Sequence, residues 1–596
     1  MKIMLCQINP LVGDIKGNLQ LLFNDISNAN EEKCDVVVFP ELCLTGYPPR
    51  DLLYKQSIWQ SHQRAVQKIT DFVKTFNRQI TVIFGGLHEN LGTYGRSERY
   101  NAAFIIDRKT TRIVYKRLLP CYDVFDETRY FKSGINEPYI PIPIIVGDIN
   151  PYVVPCDVII CEDMWNHRFG DTNHLLPATY TENPISQLKG SGPIFILNGS
   201  PFWRGKIQRT IQIVEGIAYD THRPVCWVNQ MGAHDDIITG GYSMIALPAR
   251  TTNALLPNYV QISVGKAFET DRIVFDLADH PKQEDKLPDY PRLMFSESNS
   301  YLCMDHPALN GQKIDLSDFD CWANYEALKL YLRDYCRKTS FTDVVLGLSG
   351  GIDSALVCSI AVDALGPEHV HAVTMPSKFS SQGSVSDSEQ LAKNLGIELQ
   401  NISITRIHNA VRNIIGSVSS LTDENIQPRC RMLILMALSN ENNWLLLTTG
   451  NKSELSVGYC TLYGDMAGGL SVIGDLMKTE VFKMCHMINR YWPERIPEAI
   501  LTKPPSAELR DGQVDSETLP EYDLLDPLLE DIMMDLPIDE IMRRTTIPER
   551  VVEIIHKVER NEYKREQLPK NPKLCARSFG SGRRMPIAAK YSTLEE

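Results

Sequence analysis

The stretch VVLGLSGGIDSALVCSIAVDALG, residues 344–366, decides the fold of the second half of this chain. It joins a β-rich run, a turn with two adjacent glycines, and an apolar stretch of helical length. Adjacent glycines let backbone N–H groups converge on an anion, and the N-terminus of the next helix adds the positive end of its dipole. This pattern suits a polyphosphate. It is not a Walker A loop, because GxxxxGK[ST] is absent.

The segments around this stretch continue the alternation of helix and strand. A helical pattern at residues 324–338 precedes it, and β-rich runs follow at residues 369–375 and 444–450. Alternating helices and strands are typical of a doubly wound parallel sheet. The sequence therefore predicts a Rossmann-like α/β domain over residues 321–596.

The first part of the chain has a different organisation. Residues 1–270 alternate short runs rich in Val, Ile and Phe with amphipathic helical stretches, which indicates a second α/β domain. Residues 271–320 are rich in Pro, Asp, Ser and Asn and show no sustained period, so we expect a linker there.

Composition excludes several classes of function. The chain has 596 residues and a formal net charge of −13, which argues for two or more domains and against a general nucleic-acid or anionic-membrane surface. Its 15 cysteines form no CxxC pairs, so neither a disulfide framework nor a zinc site is indicated. No signal-peptide core or membrane span is evident. We expect a protein of the reducing cytoplasm.

Four apolar runs of the first part are followed by residues whose side chains can take part in catalysis. Glu41 follows VVVFP, Lys116 follows IVY, Cys161 follows DVII, and Ser200 follows FILNG. A carboxylate can take the proton of a thiol, and an ammonium can donate to the oxyanion of a tetrahedral intermediate. Each residue also has a plainer interpretation: an inert core cysteine, a solvated strand-end acid, an exposed strand-end amine. Spacing alone leaves both interpretations open.

Three blocks around these residues, FPELCLTGYPPRDLL, YKRLLPCYDVFDE and CEDMW, resemble the signatures of the nitrilase, or carbon–nitrogen hydrolase, superfamily. NGSPF and VNQMGAHDDIITGGYS extend the resemblance to its glutaminase branch. The resemblance implies a four-layer α/β/β/α sandwich and a catalytic triad of Glu41, Lys116 and Cys161 that cleaves an amide through a thioester. It also implies that Tyr122, Ser200 and Lys206 hold the α-amino and α-carboxylate groups of glutamine.

The string SGGIDS resembles the pyrophosphate-binding loop of ATP pyrophosphatases, which split ATP while adenylating a substrate. Later blocks, including ENIQPRCRMLILMALSN and GNKSELSVGYCTLYGD, resemble the synthetase domain of the glutamine-dependent NAD synthetase family. In that family this domain follows a nitrilase-type glutaminase. Pro428 departs from the family pattern, and we expect it early in its helix, where proline is tolerated.

This second resemblance implies binding roles for several groups of residues. Mg²⁺ would be held by Asp353 and Glu454. ATP would be bound by Gly347, Leu348, Ser349, Gly350, Gly351, Ile352, Asp353, Ser354 and Thr449. Deamido-NAD would be contacted by Asn425, Glu454, Tyr459, Cys460, Thr461, Leu462 and Lys564.

Together the resemblances imply a ligase that amidates deamido-NAD to NAD with ammonia released from glutamine, giving AMP, pyrophosphate and glutamate. The expected partners are these small molecules and, as in the family, further copies of the chain, with no nucleic acid or membrane. Two other functions stay open at this point. One is a glutamine-dependent amidotransferase that adenylates another carboxylate, and the other is an amidase whose second domain only binds a nucleotide.

Overall fold

The computed structural model describes residues 1–91, 97–167, 180–249, 259–277, 292–293, 314–510 and 512–589. Contacts between residues divide the chain into two compact units, Met1–Leu316 and Ser317–Glu596. The helices of the first unit are α1 (Ile15–Glu31), α2 (Gln56–Lys74) and α3 (Lys206–Thr221). Its strands are β1 (Lys2–Gln7), β2 (Val36–Val38), β3 (Thr81–Leu91), β4 (Ser97–Ile106), β5 (Thr111–Tyr115), β6 (Ile142–Val146), β7 (Tyr152–Ile160), β8 (Ile194–Asn198), β9 (Val225–Asn229), β10 (Met231–His234), β11 (Ile237–Gly240), β12 (Met244–Ala249), β13 (Tyr259–Val264), β14 (Asp271–Asp276) and β15 (Arg292–Leu293).

Two large sheets form the centre of the first unit. One has the strand order β14-β1-β2-β3-β4-β5, and the other has the order β15-β13-β12-β9-β8-β7-β6. Side chains of β1 alternate between two cores, since Ile3 and Leu5 pack against the facing sheet while Met4 and Cys6 pack under α1 and α2. This is the period of two expected for a strand that is buried on both faces.

Helices cover the outer faces of both sheets. In α2 the buried residues Trp59, His62, Ala65, Ile69 and Val73 recur every three or four positions, which places them along one face of the helix. Helix α3 contacts β9, β12 and β13 of the other sheet. The layers are therefore α/β/β/α, and the predicted four-layer sandwich is confirmed.

The start of the predicted linker belongs to the first sheet. Residues Asp271–Asp276 form β14, which pairs antiparallel with β1 from Lys2↔Asp276 to Gln7↔Asp271. Ile273 of this strand is buried in the core between the sheets. The boundary at residue 270 was therefore placed too early, because a charged, short edge strand lacks the apolar run that marked the central strands. Most of the remaining linker, residues 278–291 and 294–313, lies outside the described residues.

The second unit is built on one parallel sheet. Its strands are β16 (Val344–Gly347), β17 (Val370–Thr374), β18 (Leu399–Asn401), β19 (Leu445–Thr448) and β20 (Leu470–Ser471). They are ordered β18-β17-β16-β19-β20, and every pair is parallel. The chain therefore runs outward from β16 in one direction and returns to its other side at β19. The predicted doubly wound sheet is confirmed, with its topological switch point between β16 and β19.

Helices lie on both faces of this sheet and extend beyond it. Helices α4, α5 and α10 contact one another, while α8 contacts β16 and β19. A separate apolar cluster joins α9 to α12, α13 and α14. In the described parts of both units, no helix is long and apolar enough to span a bilayer. The helices are α4 (Phe319–Thr339), α5 (Ile352–Leu365), α6 (Gln382–Leu395), α7 (Thr405–Ile415), α8 (Ser420–Asn442), α9 (Lys452–Val457), α10 (Lys478–Tyr491), α11 (Glu498–Thr502), α12 (Tyr522–Met533), α13 (Ile538–Arg544), α14 (Val551–Arg560) and α15 (Glu562–Arg565).

Candidate active sites

Cys161 lies on a tight turn at the end of β7. Its φ angle is +44°, and it begins a short 3-10 helix, Cys161–Met164. The carboxylate of Asp163 accepts N–H groups from Ile160 at 3.2 Å and from Arg117 and Leu118 at 3.0 and 2.8 Å. Asp163 thus fastens the cysteine turn to the chain that follows β5. A non-glycine residue in this conformation is held by its surroundings, as is common at functional sites.

Glu41 and Lys116 meet although 75 positions separate them in sequence. Lys116 Nζ lies 2.7 Å from Glu41 Oε1, and both side chains are fully buried. Two further groups donate to this carboxylate, Asn101 Nδ2 to Oε1 at 2.7 Å and the Gly199 N–H to Oε2 at 2.9 Å, which leaves one acceptor site on Oε2. The charges of both residues act on the Cys161 thiol. Three of the strand ends singled out in the sequence therefore converge on one buried site.

A second buried carboxylate, Glu127, completes the surroundings of Lys116. Its Oε1 atom lies 2.7 Å from Lys116 Nζ and accepts a hydrogen bond of 2.8 Å from the Tyr47 hydroxyl. The sequence interpretation missed this residue. The segment DVFDE offers three carboxylates after Tyr122, and only the folded chain shows which of them turns inward.

Burial and charge set the protonation states of this site. Burial first, and then the negative charge of Glu41, raise the pKa of the Cys161 thiol well above its ordinary value. Burial lowers the pKa of Lys116, but the carboxylates of Glu127 and Glu41 outweigh it and raise that pKa well above its ordinary value. The resting site thus combines a neutral thiol with a charged ammonium. A base must remove the thiol proton as the sulfur attacks, and Glu41 is the carboxylate that the geometry offers.

The residues expected to hold glutamine lie around the same turn. The hydroxyls of Tyr122 and Tyr180 each donate to Glu162 Oε1 at 2.9 Å. The buried carboxylate that follows Cys161 in sequence therefore accepts hydrogen bonds from two tyrosines. Lys206 begins α3, donates to the Pro201 carbonyl at 2.8 Å and lies 5.3 Å from the centre of the Trp165 ring.

Ser200 follows Gly199, whose N–H donates to the Glu41 carboxylate of this site. The N–H of Ser200 donates to Asn229 Oδ1 at 2.8 Å, and the residue is buried. A Cβ atom added to Gly199 would lie 2.9 Å from the Tyr47 ring. That close approach is a physical reason for glycine at this position.

The glycine-rich loop of the second unit follows β16 at the switch point of its sheet. Gly350 has a φ angle of +74°, and a Cβ atom there would lie 2.3 Å from the Ser384 carbonyl oxygen. The Ser354 hydroxyl donates to the Gly351 carbonyl at 3.0 Å, which fixes the turn into α5. All residues from 347 to 354 line a cavity of about 290 Å³, and Thr449 lines it from the end of β19. Ligands of open α/β sheets bind at this position.

Asp353 and Glu454 lie on either side of one ammonium group. Lys478 Nζ contacts Asp353 Oδ2 at 2.5 Å and Glu454 Oε1 at 3.3 Å, and Asn451 Nδ2 donates to Asp353 Oδ1 at 2.9 Å. Lys478, which the sequence interpretation missed, is almost fully buried and lines the cavity. Its position at the start of α10, far from the glycine-rich loop in sequence, gave no signal of this role.

The donor set of this pair fits Mg²⁺. Both carboxylates reach a single cationic group, so one cation can contact the two together. Mg²⁺ is typically held by one or two carboxylates plus phosphate oxygens rather than by a full protein cage. The part of the chain that the structure describes contains no cluster of three or more metal-ligating side chains.

The residues expected to contact deamido-NAD separate into two sets. Glu454 and Tyr459 line the cavity. The others form a supporting network beside it: Thr461 Oγ1 donates to Asn425 Oδ1 at 2.8 Å, and Lys564 Nζ donates to the carbonyls of Gly458 and Cys460 at 2.8 and 2.9 Å. The carbonyl of Leu462 accepts from Arg429 Nε at 3.1 Å.

Pro428 lies well inside α8, Ser420–Asn442, and the expectation of a position early in the helix was wrong. A proline there cannot donate to the carbonyl four residues earlier. Pro428 and Met432 both line the cavity. The departure from the family pattern at Pro428 therefore falls on the wall of the cavity.

Family comparison agrees with the two folds. A model described as carbon-nitrogen hydrolase matches residues 2–257, and a model described as NAD synthase matches residues 324–568. A hydrolase of carbon–nitrogen bonds joined to a nucleotide-dependent synthase defines the class of this protein.

Full-length relatives narrow the class to one family. The chain is 36% identical to a glutamine-dependent NAD(+) synthetase from Thermotoga maritima, with 99% of each chain covered, and 37% identical to one from Aquifex aeolicus, with 98% and 99% covered. The chain belongs to the glutamine-dependent NAD(+) synthetase family. A solved structure from Acinetobacter baumannii in complex with ADP is 31% identical, has a TM-score of 0.67 and covers 98% of both chains. One from Cytophaga hutchinsonii shares the fold, with a TM-score of 0.74 at 18% identity over 99% of this chain and 98% of that one.

Proposed function

We propose that this chain makes NAD by amidating deamido-NAD, using ATP for activation and glutamine as the source of ammonia. The observation that carries the proposal is the presence, in one chain of this family, of a buried lysine–carboxylate site at a cysteine turn and a glycine-rich loop at a nucleotide-binding switch point. The proposed products are NAD, AMP, pyrophosphate and glutamate.

In the first unit, Cys161 is the proposed nucleophile and Glu41 the general base. Glu41 takes the thiol proton while the sulfur attacks the side-chain amide of glutamine, and Lys116 donates to the oxygen that becomes negative. The protonated Glu41 then gives its proton to the leaving ammonia, and water releases glutamate from the thioester. The contact of Lys116 with two carboxylates supports this role, because it keeps the ammonium charged throughout the cycle.

In the second unit, the residues from Gly347 to Ser354 and Thr449 are proposed to bind ATP. A carboxylate resists attack by ammonia because it carries a negative charge and its oxygen is a poor leaving group. Transfer of the adenylyl group from ATP to the nicotinate carboxylate removes the charge and creates AMP as leaving group. The amides of the loop and the helix dipole of α5 favour the departing pyrophosphate.

Three further groups are proposed to complete the second site. Asp353 and Glu454 would hold Mg²⁺, which when bound supplies positive charge to the phosphates. Lys478, buried in the cavity wall, would add a fixed positive charge at the same place. The residues proposed to bind deamido-NAD are Glu454 and Tyr459 directly, with Asn425, Cys460, Thr461, Leu462 and Lys564 shaping the adjoining loop.

Ammonia attacks only as the neutral base, although water at neutral pH protonates most of it. We therefore propose that it passes from Cys161 to the second site shielded from solvent. The described cysteines are all free thiols, which supports a reducing compartment such as the cytoplasm. Assembly into homo-oligomers is proposed from the family resemblance alone.

The test compares nitrogen donors with purified protein, ATP, Mg²⁺ and deamido-NAD. Cys161→Ala is expected to abolish NAD formation from glutamine and to leave formation from ammonium nearly intact. Asp353→Ala is expected to reduce both. Loss of both activities in Cys161→Ala would refute the division of labour, and formation of AMP with other carboxylates but not with deamido-NAD would refute the substrate.

A further inference from the structure

Arg209 is a buried cation near the cysteine site, and the described residues supply no counterion for it. It lies on α3, three residues after Lys206, and its exposed fraction is only 8%. Its Nε and Nη2 atoms are buried, and among the described residues neither has a hydrogen-bond partner. Burying a guanidinium is costly unless an anion pairs with it. A group of this kind in an enzyme is a candidate for binding an anionic part of the substrate.

Trp165 links Arg209 to the catalytic turn. The indole follows Cys161 by four residues, at the end of the 3-10 helix that the cysteine begins. The Arg209 guanidinium carbon lies 5.7 Å from the centre of the Trp165 ring, and Lys206 Nζ lies 5.3 Å from the same centre. Two cations of one helix face therefore lie beside the ring that ends the cysteine turn.

Glutamine brings one anion into this site. When its side-chain amide is at the sulfur, its α-carboxylate lies at the far end of the molecule with the α-ammonium. The carboxylates already present, such as Glu162, can attract the ammonium but repel the carboxylate. A planar guanidinium with two adjacent N–H groups matches the geometry of a carboxylate and can bind it in a bidentate manner.

We infer that Arg209 binds the α-carboxylate of glutamine and thereby makes the first site selective for amides that carry this group. The inference rests on the proposed glutaminase function of the first unit. The family resemblance implied that Lys206 helps to hold the α-amino and α-carboxylate groups of glutamine. Its Nζ donates to the Pro201 carbonyl, whereas Nε and Nη2 of Arg209 face no acceptor in the described part of the chain.

The first test requires no substitution. Glutamine is compared with glutaminamide, in which the α-carboxylate is replaced by an uncharged amide. Release of the deamidated products, glutamate and isoglutamine respectively, is followed with ATP, Mg²⁺ and deamido-NAD present. We expect kcat/KM to be roughly 10- to 100-fold lower for glutaminamide, the range for a charge-assisted pair. Equal use of the two amides by the unaltered protein would overturn the inference.

The second test compares Arg209→Met with Arg209→Lys. Arg209→Met is expected to raise KM for glutamine roughly 10- to 100-fold with little change in kcat, and to bring glutamine and glutaminamide to nearly equal kcat/KM. Arg209→Lys should retain part of the preference, since it keeps the charge but loses the bidentate geometry. Arg64→Met, which removes an exposed arginine from α2 of the same unit, should change neither value.

A purely structural role gives a different pattern. If Arg209 only packs on Trp165, its removal lowers kcat/KM by the same factor for both amides, and that result would overturn the inference. Ammonium-supported NAD formation separates this failure from failure of the proposed function. If the unaltered protein forms no NAD from either donor, the proposed function fails, while release of glutamate from glutamine and of isoglutamine from glutaminamide still measures the preference for the α-carboxylate.

Discussion

Glu127 Oε1 lies 2.7 Å from the ammonium nitrogen of Lys116. Oε1 of Glu41, the proposed base, lies at the same distance from that nitrogen. One buried cation is thus shared between two carboxylates. Because both carboxylates contact this ammonium, Glu127 and Glu41 together hold Lys116 in place and keep it charged. Glu127 therefore acts on the site through the lysine.

Glu127→Gln should weaken the glutaminase step without affecting the synthetase step. With this carboxylate neutralised, Lys116 loses one of its two charged partners and the largest of the charges that raise its pKa. The ammonium is then held less firmly where the oxyanion develops. We expect kcat with glutamine to fall roughly 10- to 100-fold while NAD formation from ammonium is unchanged. Steady-state assays with both donors check this. An unaltered kcat with glutamine would contradict the role of Glu127 in holding Lys116.

Alkylation of Cys161 should depend steeply on pH. Burial and the charge of Glu41 raise its thiol pKa, so the thiolate is a small fraction at neutral pH and grows about tenfold per pH unit until the pKa is reached. The rate of modification by iodoacetamide, read by mass spectrometry of the peptide that contains Cys161, is expected to rise between pH 7 and pH 9 without a plateau. The exposed Cys121 is a reference for the reagent. A plateau near pH 7 would indicate a resting thiolate instead.

Gly350→Ala should disrupt the phosphate loop for a steric reason. Its Cβ would lie 2.3 Å from the Ser384 carbonyl oxygen, in addition to the strain of a φ angle of +74°. Gly396 is a matched control, since its φ angle is +70° but nothing lies within 4 Å of an added Cβ. Both variants should lose about 1 kcal/mol of stability from the backbone conformation. Only Gly350→Ala is expected to raise KM for ATP by roughly 10-fold or more, and equal ATP kinetics in the two variants would rule out the close approach as the cause.

Lys478→Met should impair synthesis with either nitrogen donor. The substitution removes a buried positive charge from the cavity and leaves Asp353 and Glu454 without their shared partner. We expect kcat/KM for ATP to fall roughly 100-fold with glutamine and with ammonium alike. Lys483→Met, an exposed position on the same helix, is the control. A defect confined to the glutamine-dependent reaction would place Lys478 outside the ATP site.

The sequence alone determined the two α/β units, the sheet types and the strand ends that carry Glu41, Lys116 and Cys161. These features are local, because apolar runs, glycine turns and the residue after each strand can be read along the chain. The family resemblance then supplied roles that spacing could not.

Only the tertiary structure decided which charges meet. It selected Glu127 from three neighbouring carboxylates and brought Lys478 between Asp353 and Glu454. It also left Nε and Nη2 of Arg209 buried without a hydrogen-bond partner among the described residues. It also made Asp271–Asp276 a strand of the first sheet. The physical reason is the same in each case: electrostatic and edge-strand contacts depend on distances in space between segments remote in sequence, and no local pattern encodes those distances.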